Sequence, residues 1–211
     1  MNTSIAVKSL LGVAALALPL MASAESSVSA GAAVTAHVDF QINIPKILYL
    51  RVGTGSSYST GVLANANGAA NIDLITFSPS ANQVGTGTVI PGVGGDLAGG
   101  IETAAVVSTV GGITLSATES AAGISDGAGN FIPFTQIAVT QPTAPITTGY
   151  TVLTSPVLNA TGGSTNVALP GKVVTADGQW KFSYTNSVSA PGGTYGGVAN
   201  TGRVTYTLTS P

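Results

Sequence analysis

Between Val28 and Ile44 every second residue is apolar: Val28, Ala30, Ala32, Val34, Ala36, Val38, Phe40, Ile42 and Ile44. The positions between them are small or polar, among them Ser29, Thr35, His37, Asp39, Gln41 and Asn43. Successive side chains of an extended chain point to opposite sides of the pleat, so this alternation predicts a β-strand with one buried face. Strands typically run for about 5 to 6 residues, and the pattern is long enough for two in one register. The later part, from Asp39, is expected to join the domain's own sheet. The earlier part, residues 25–38, reads as an extension whose partner lies elsewhere.

The rest of the chain is a succession of short β-patterns separated by turn signals. Ile47 to Val52, rich in β-formers, follows the Pro45-Lys46 break, Asn67-Gly68 marks a turn, and Asn71 to Phe77 is a short strand candidate. Residues 78–100, dense in Gly and Pro, predict a surface excursion with at most a short strand near Thr88 to Ile90. Val106-Val107 and Ile113-Thr114-Leu115 flank Gly111-Gly112, which predicts a hairpin, and Asp126-Gly127 predicts a turn before a strand over Phe131 to Thr140 that Pro133 confines to an edge or bulge.

Lys172 to Ala176 and Gln179 to Tyr184 flank Asp177-Gly178, a pair suited to a two-residue hairpin turn. Trp180, Phe182 and Tyr184 then share one face, the expected centre of the core. The chain closes on Val204, Tyr206 and Leu208 alternating with Thr205, Thr207 and Thr209. No helical periodicity of useful length interrupts these patterns, which predicts an all-β chain: an Ig-like antiparallel β-sandwich over residues 39–211, preceded by the alternating extension.

The residues before the extension predict a leader rather than part of the fold. Lys8, the apolar run from Leu10 to Met21 and Ala22-Ser23-Ala24 have the arrangement of a secretory signal peptide over residues 1–24. That run is too short to span a bilayer, and no later segment approaches a membrane span. The expected destination is therefore outside the cell.

Composition narrows the functional classes. The 211 residues include no cysteine, which excludes a disulfide scaffold and thiol chemistry. Only 7% of the residues are charged, against about 25% in ordinary globular chains, and the net charge is −2. With six Lys and Arg in all, nucleic acid is not an expected partner. His37 is the only histidine, so any Ser-His-Asp arrangement would have to use it. It falls on the polar face of the N-terminal pattern.

The acidic residues are scattered, and Asp126 and Asp177 each precede a glycine as turn residues do. Gly92 to Asp96 and Asp126 to Asn130 carry oxygen ligands in Gly-rich loops, but neither has an EF-hand spacing. No catalytic residue, cofactor or metal site is expected, and the chain does not read as an enzyme.

An alternating segment near the start of an exported, cysteine-free β-sandwich resembles the subunits of chaperone-usher fimbriae, in particular the alternate, colonisation-factor class of pilins. Ala33 to Asp39 carries the likeness at one end. Gly193-Thr194-Tyr195 and Gly202 to Leu208 carry it at the other. The stretch Gly196 to Thr201 and the final Pro211 depart from the pilin pattern.

The resemblance implies an extracellular fibre subunit that donates its N-terminal strand to a neighbour and serves surface attachment. Its partners would be copies of itself, a periplasmic chaperone and an outer-membrane usher. Val28, Ala30, Ala32, Val34, Ala36 and Val38 would be the subunit contact, with Val204, Tyr206 and Leu208 on the C-terminal strand. The alternative is a secreted monomeric carbohydrate-binding or adhesive module, which would need Trp180 or the tyrosines at the surface.

Overall fold

The computed structural model describes residues 26–53, 72–159, 164–197 and 199–211. The leader over 1–24 and the Asn67-Gly68 turn lie outside the described residues. The chain divides into two units, Met1–Asn43 and Ile44–Pro211.

Among the described residues of the second unit there is no α-helix, and the strands build two principal sheets. The first contains β1 (Leu48–Val52), β5 (Ile101–Ser108) and the long β12 (Val174–Tyr184), in that order across the sheet. Leu48 to Val52 pair antiparallel with Ser108 to Ala104, and Val174 to Lys181 pair antiparallel with Ser108 to Ile101. Beyond β5, the short β3 (Ile90–Pro91) continues along the same edge of β12. The opposite edge takes β10 (Thr151–Val152) in parallel and then β9 (Ile137–Thr140) antiparallel. The second sheet sets β6 (Ile113–Glu119) between β11 (Ser164–Leu169) and β13 (Val204–Thr209), all antiparallel. Two small ladders complete the set, β2 (Ile75–Thr76) with β4 (Val93–Gly94) and β7 (Gly123–Ser125) with β8 (Phe131–Pro133).

The inner faces of the two sheets meet in one core, and the period-2 pattern explains which residues enter it. Ala104 and Val106 come from β5, Val174, Ala176, Trp180 and Phe182 from β12, Ile113 and Leu115 from β6, and Leu169 from β11. Tyr206 and Leu208 pack against this cluster from β13, whose burial alternates as its sequence does. The architecture is a β-sandwich. Trp180 is fully buried and its indole N–H donates to the Leu153 carbonyl at 2.9 Å, so the largest side chain of the core leaves no polar atom unsatisfied.

Four expectations are corrected. Asp177-Gly178 does not turn the chain; it lies within the continuous β12. The Asp177 carboxylate is fully buried and accepts the backbone N–H of Ile146 at 2.7 Å and of Thr147 at 3.0 Å, so it serves to fasten a covering loop to the strand. Gly178 is required by a close approach instead of by a turn: a Cβ there would meet the Leu153 carbonyl oxygen at 2.6 Å and Pro142 Cγ at 2.8 Å.

Gly111-Gly112 likewise joins no hairpin. It carries the chain from β5 in one sheet to β6 in the other, with Gly112 at φ +69. A hairpin would leave both apolar runs on one layer, whereas the crossover lets Val106 and Leu115 face each other across the core. At Phe131 to Thr140 the expected strand is broken into β8 and β9 by a 3-10 turn at Phe134–Gln136, immediately after Pro133.

The first unit is extended where it is described. Residues 26–43 form no strand, and one bend near Gly31 is closed by the Ala32 N–H donating to Ser29 Oγ at 3.0 Å. The ladder expected for Asp39 to Ile44 is absent; the domain's own pairing starts at Ile47, whose carbonyl accepts the Thr109 N–H at 3.1 Å, and the strand itself at Leu48. A period-2 pattern makes a segment able to line a sheet, but a ladder needs a second strand.

Candidate functional site

The loops and short strands at one end of the sandwich leave part of its interior open. Phe77, just after β2, and Ile124 of β7 stand near Ile137, the first residue of β9, and these three line two adjoining clefts. The larger, of about 540 Å³, runs on between Pro79, Tyr184 and Tyr195. The smaller, of about 170 Å³, is bounded by Val52 at the end of β1, Phe182 of β12, and Val204 and Tyr206 of β13. Sharing three apolar side chains, the two form one trough walled chiefly by aliphatic and aromatic groups.

Local sequence places each wall. Pro133 breaks the strand and the following 3-10 turn buries Phe134 beneath the trough. Residues 82–87 are held beside it by Asn186, a fully buried side chain that accepts the Gly85 N–H at 3.1 Å and donates to the Gln83 carbonyl at 2.5 Å. The excursion expected over residues 78–100 is thus fastened to the end of β12, and it holds two short strands, β3 and β4. The Asp126-Gly127 turn forms as expected: Asp126 accepts the Ala128 N–H at 2.8 Å, and its hydrogen bonds, first that from the Asn130 side chain, hold its carboxyl below the usual range.

An outer strand of each sheet also comes to this end. β1 pairs only with β5, and β13 only with β6, among the described residues. β1 approaches β13 at this side of the sandwich, beside the trough.

Polar chemistry in the trough is confined to a few side chains. Glu102 lies on the inward face of β5, in line with Ala104 and Val106, and borders the smaller cleft. It is only 6% exposed, and its Oε2 has no hydrogen-bond partner. Burial first, and then the nearby Asp73 and Asp96 carboxylates, push its carboxyl up to about 8. Glu119, at the end of β6, is buried as well; its Oε1 accepts the Asn159 N–H at 2.7 Å. Between them stands Tyr206, whose phenol is driven above its ordinary range by burial and whose ring centre lies 5.1 Å from that of Trp180.

The residues singled out from the sequence fall in two places. Val204 and Tyr206 line the smaller cleft and Leu208 packs on the core. Val28, Ala30, Ala32, Val34, Ala36 and Val38 are all exposed, Val28 completely, and Phe40 beyond them is 89% exposed. Trp180, Phe182 and Tyr184 are buried, which removes them as a stacking platform for a sugar. Among the described residues no three His, Cys, Asp or Glu side chains are grouped to hold a metal ion. The trough residues from Phe77, Ile124 and Ile137 were not legible as a site, since apolar residues in short strands read simply as core. Glu102 did carry a signal: it is an acid at an inward position of an otherwise small and apolar strand.

Comparison of the chain with protein-family models, with curated proteins and with solved structures finds no match in any of the three.

Proposed function

We propose that this chain is a structural subunit of an extracellular fibre, assembled when the alternating N-terminal segment of one copy enters the apolar trough of the next, and serving surface attachment. One observation carries the reading: residues 28–44 present an unbroken row of alternate apolar side chains that is exposed and unpaired. The second unit supplies a complementary feature, an open apolar trough beside β1 and β13, the outermost strands of their sheets among the described residues. Addition of an extended segment to a sheet edge, with alternate side chains filling pockets, is a recurring mode of recognition. Export through a periplasm, with a chaperone and an usher as assembly partners, belongs to this reading through the resemblance to fimbrial subunits.

The energetics favour a permanent acceptor over transient pairing. Burying Val28, Val34 and Val38 contributes roughly 4 to 9 kcal/mol, and about ten ladder hydrogen bonds add roughly 1 kcal/mol each. Ordering the backbone from Val28 to Val38 costs about 11 to 22 kcal/mol. These terms nearly cancel for a tail laid on a flat edge. Release of water from a preformed apolar trough tips the balance toward binding.

The deciding experiment is negative-stain microscopy with size-exclusion chromatography of the full chain beside a version lacking residues 26–43. Filaments or ladders of oligomers that disappear in the truncated protein are the expected result. Monomers of equal stability in both samples would overturn the proposal.

A further inference from the structure

The trough contains one group that an apolar floor does not explain. Glu102 reaches the smaller cleft from β5, nine-tenths buried, with Oε2 unpartnered. A second carboxyl stands beside it. A Cβ placed on Gly53 would lie 2.9 Å from Glu102 Oε2 and closer still to Asp73 Oδ2, so both oxygens crowd against the same glycine. Gly53 itself sits at φ +70, and the absence of a side chain leaves room for the pair.

Two ionised carboxylates in this position have only acceptors to offer each other, and Oε2 of the buried one stays without a hydrogen bond. A proton on Glu102 removes both difficulties at once: the charge disappears from the cleft and the orphan oxygen becomes a donor to Asp73. Like-charged carboxyls brought together share a proton for the same reason.

The charges that act on Glu102 are carboxylates, Asp73 and Asp96, and both raise its proton affinity. Asp96, in the loop after β4, adds a third carboxylate, itself bound to the Thr103 N–H at 2.9 Å. From β13 the neighbour is the Tyr206 phenol, which also feels Glu119 of β6. From β12 it is the cross-strand Trp180, while Asp177 and Lys181 alternate to the other face. On β1, Arg51 alternates away from the core-facing Leu50 and Val52. The Asp96 backbone N–H lowers the proton affinity only in part, and the net result remains well above an ordinary glutamate.

We infer that Glu102 carries a proton at neutral pH, shared with Asp73, and that filling the trough tightens its hold on that proton, so that assembly is linked to pH. The second half rests on the trough being the acceptor of the N-terminal segment. An occupant expels the remaining water from the cleft, and the charged form of Glu102 loses its last solvation. Association then weakens as pH rises above about 8, where the free subunit has released the proton and the assembled one retains it. One proton allows at most about a tenfold loss per pH unit.

For the subunit alone the sign is also set. The folded state holds the proton between the ordinary value of 4.5 and about 8, and the unfolded state does not, so stability falls as pH rises through that window.

The test uses the full chain, Glu102→Gln and Asp73→Asn. Denaturant midpoints from about pH 5 to pH 9 are expected to fall with pH in the parent, to be flat across that window in Glu102→Gln, and to fall over a narrower window in Asp73→Asn. Carbon-13 carboxyl NMR of glutamate-labelled parent protein should show one resonance titrating near pH 8, missing from Glu102→Gln. An identical pH slope in parent and Glu102→Gln, or no such resonance, overturns the shared proton even if one variant fails to fold. Oligomer size at pH 7 and about pH 9.5 tests the linkage: the parent should dissociate at the higher pH and Glu102→Gln should not. If no oligomer forms at any pH while the carboxyl titrates as expected, the fibre proposal fails and the proton pair stands.

Discussion

Residues 28–44 and β13 are written in the same pattern, yet only β13 is a strand. Val204, Tyr206 and Leu208 face inward from a ladder with β6, while Thr205, Thr207 and Thr209 face out. Val34, Val38 and Phe40 alternate with polar residues just as regularly and remain exposed. The difference lies in the partner: β6 offers β13 an edge and a core, and residues 26–43 have no ladder. Period-2 patterning states what a segment could cover, and the location of the surface to be covered is a separate fact.

That contrast can be broken by substitution, beginning with the paired strand. Tyr206→Ala removes a ring packed on Trp180 and should cost about 3 to 5 kcal/mol in denaturant unfolding. A loss below about 1 kcal/mol would mean that β13 is as loosely held as the N-terminal segment. Next, Gly178→Ala forces a methyl group against the Leu153 carbonyl and Pro142, with an expected loss of about 1 to 3 kcal/mol. Had residues 177 and 178 formed an exposed turn, the same change would be far milder. Asp177→Ala leaves the N–H groups of Ile146 and Thr147 without their acceptor and should cost about 1 to 3 kcal/mol, read by the same unfolding assay. The smallest effect belongs to Phe40→Ser, which should leave the unfolding midpoint of the isolated chain within about 0.5 kcal/mol of the parent. Its oligomers, in contrast, should be depleted on size-exclusion chromatography.

How far the fold could be read in advance depended on the range of the interaction involved. The all-β class, the terminal strand and the shared face of Trp180, Phe182 and Tyr184 follow from local alternation, and all are present. Asp177-Gly178 reads as a turn because the pair has the backbone freedom for one; the competing contacts come from Leu153, Ile146 and Thr147, remote in sequence. Gly111-Gly112 predicts a hairpin because a two-layer fold is invisible to any single pair of neighbouring strands. The trough was hidden for a similar reason, since its walls come from β1, β2, β7, β9 and β13. Glu102 was within reach of the same period-2 count that located the core, applied to an acid in place of an apolar residue.

The crossover at Gly111-Gly112 has a kinetic consequence. By sending β5 and β6 to different sheets it denies the chain its nearest hairpin, and the central ladders join Ser108 to Val174 and Glu119 to Val204 instead. Loops of that span must close before β12 joins the first sheet and β13 the second, which places folding in the slow, millisecond-to-second range of sandwich topologies. Throughout that interval β5 has only β1 beside it, and β6 waits with open edges for the last quarter of the polypeptide to arrive.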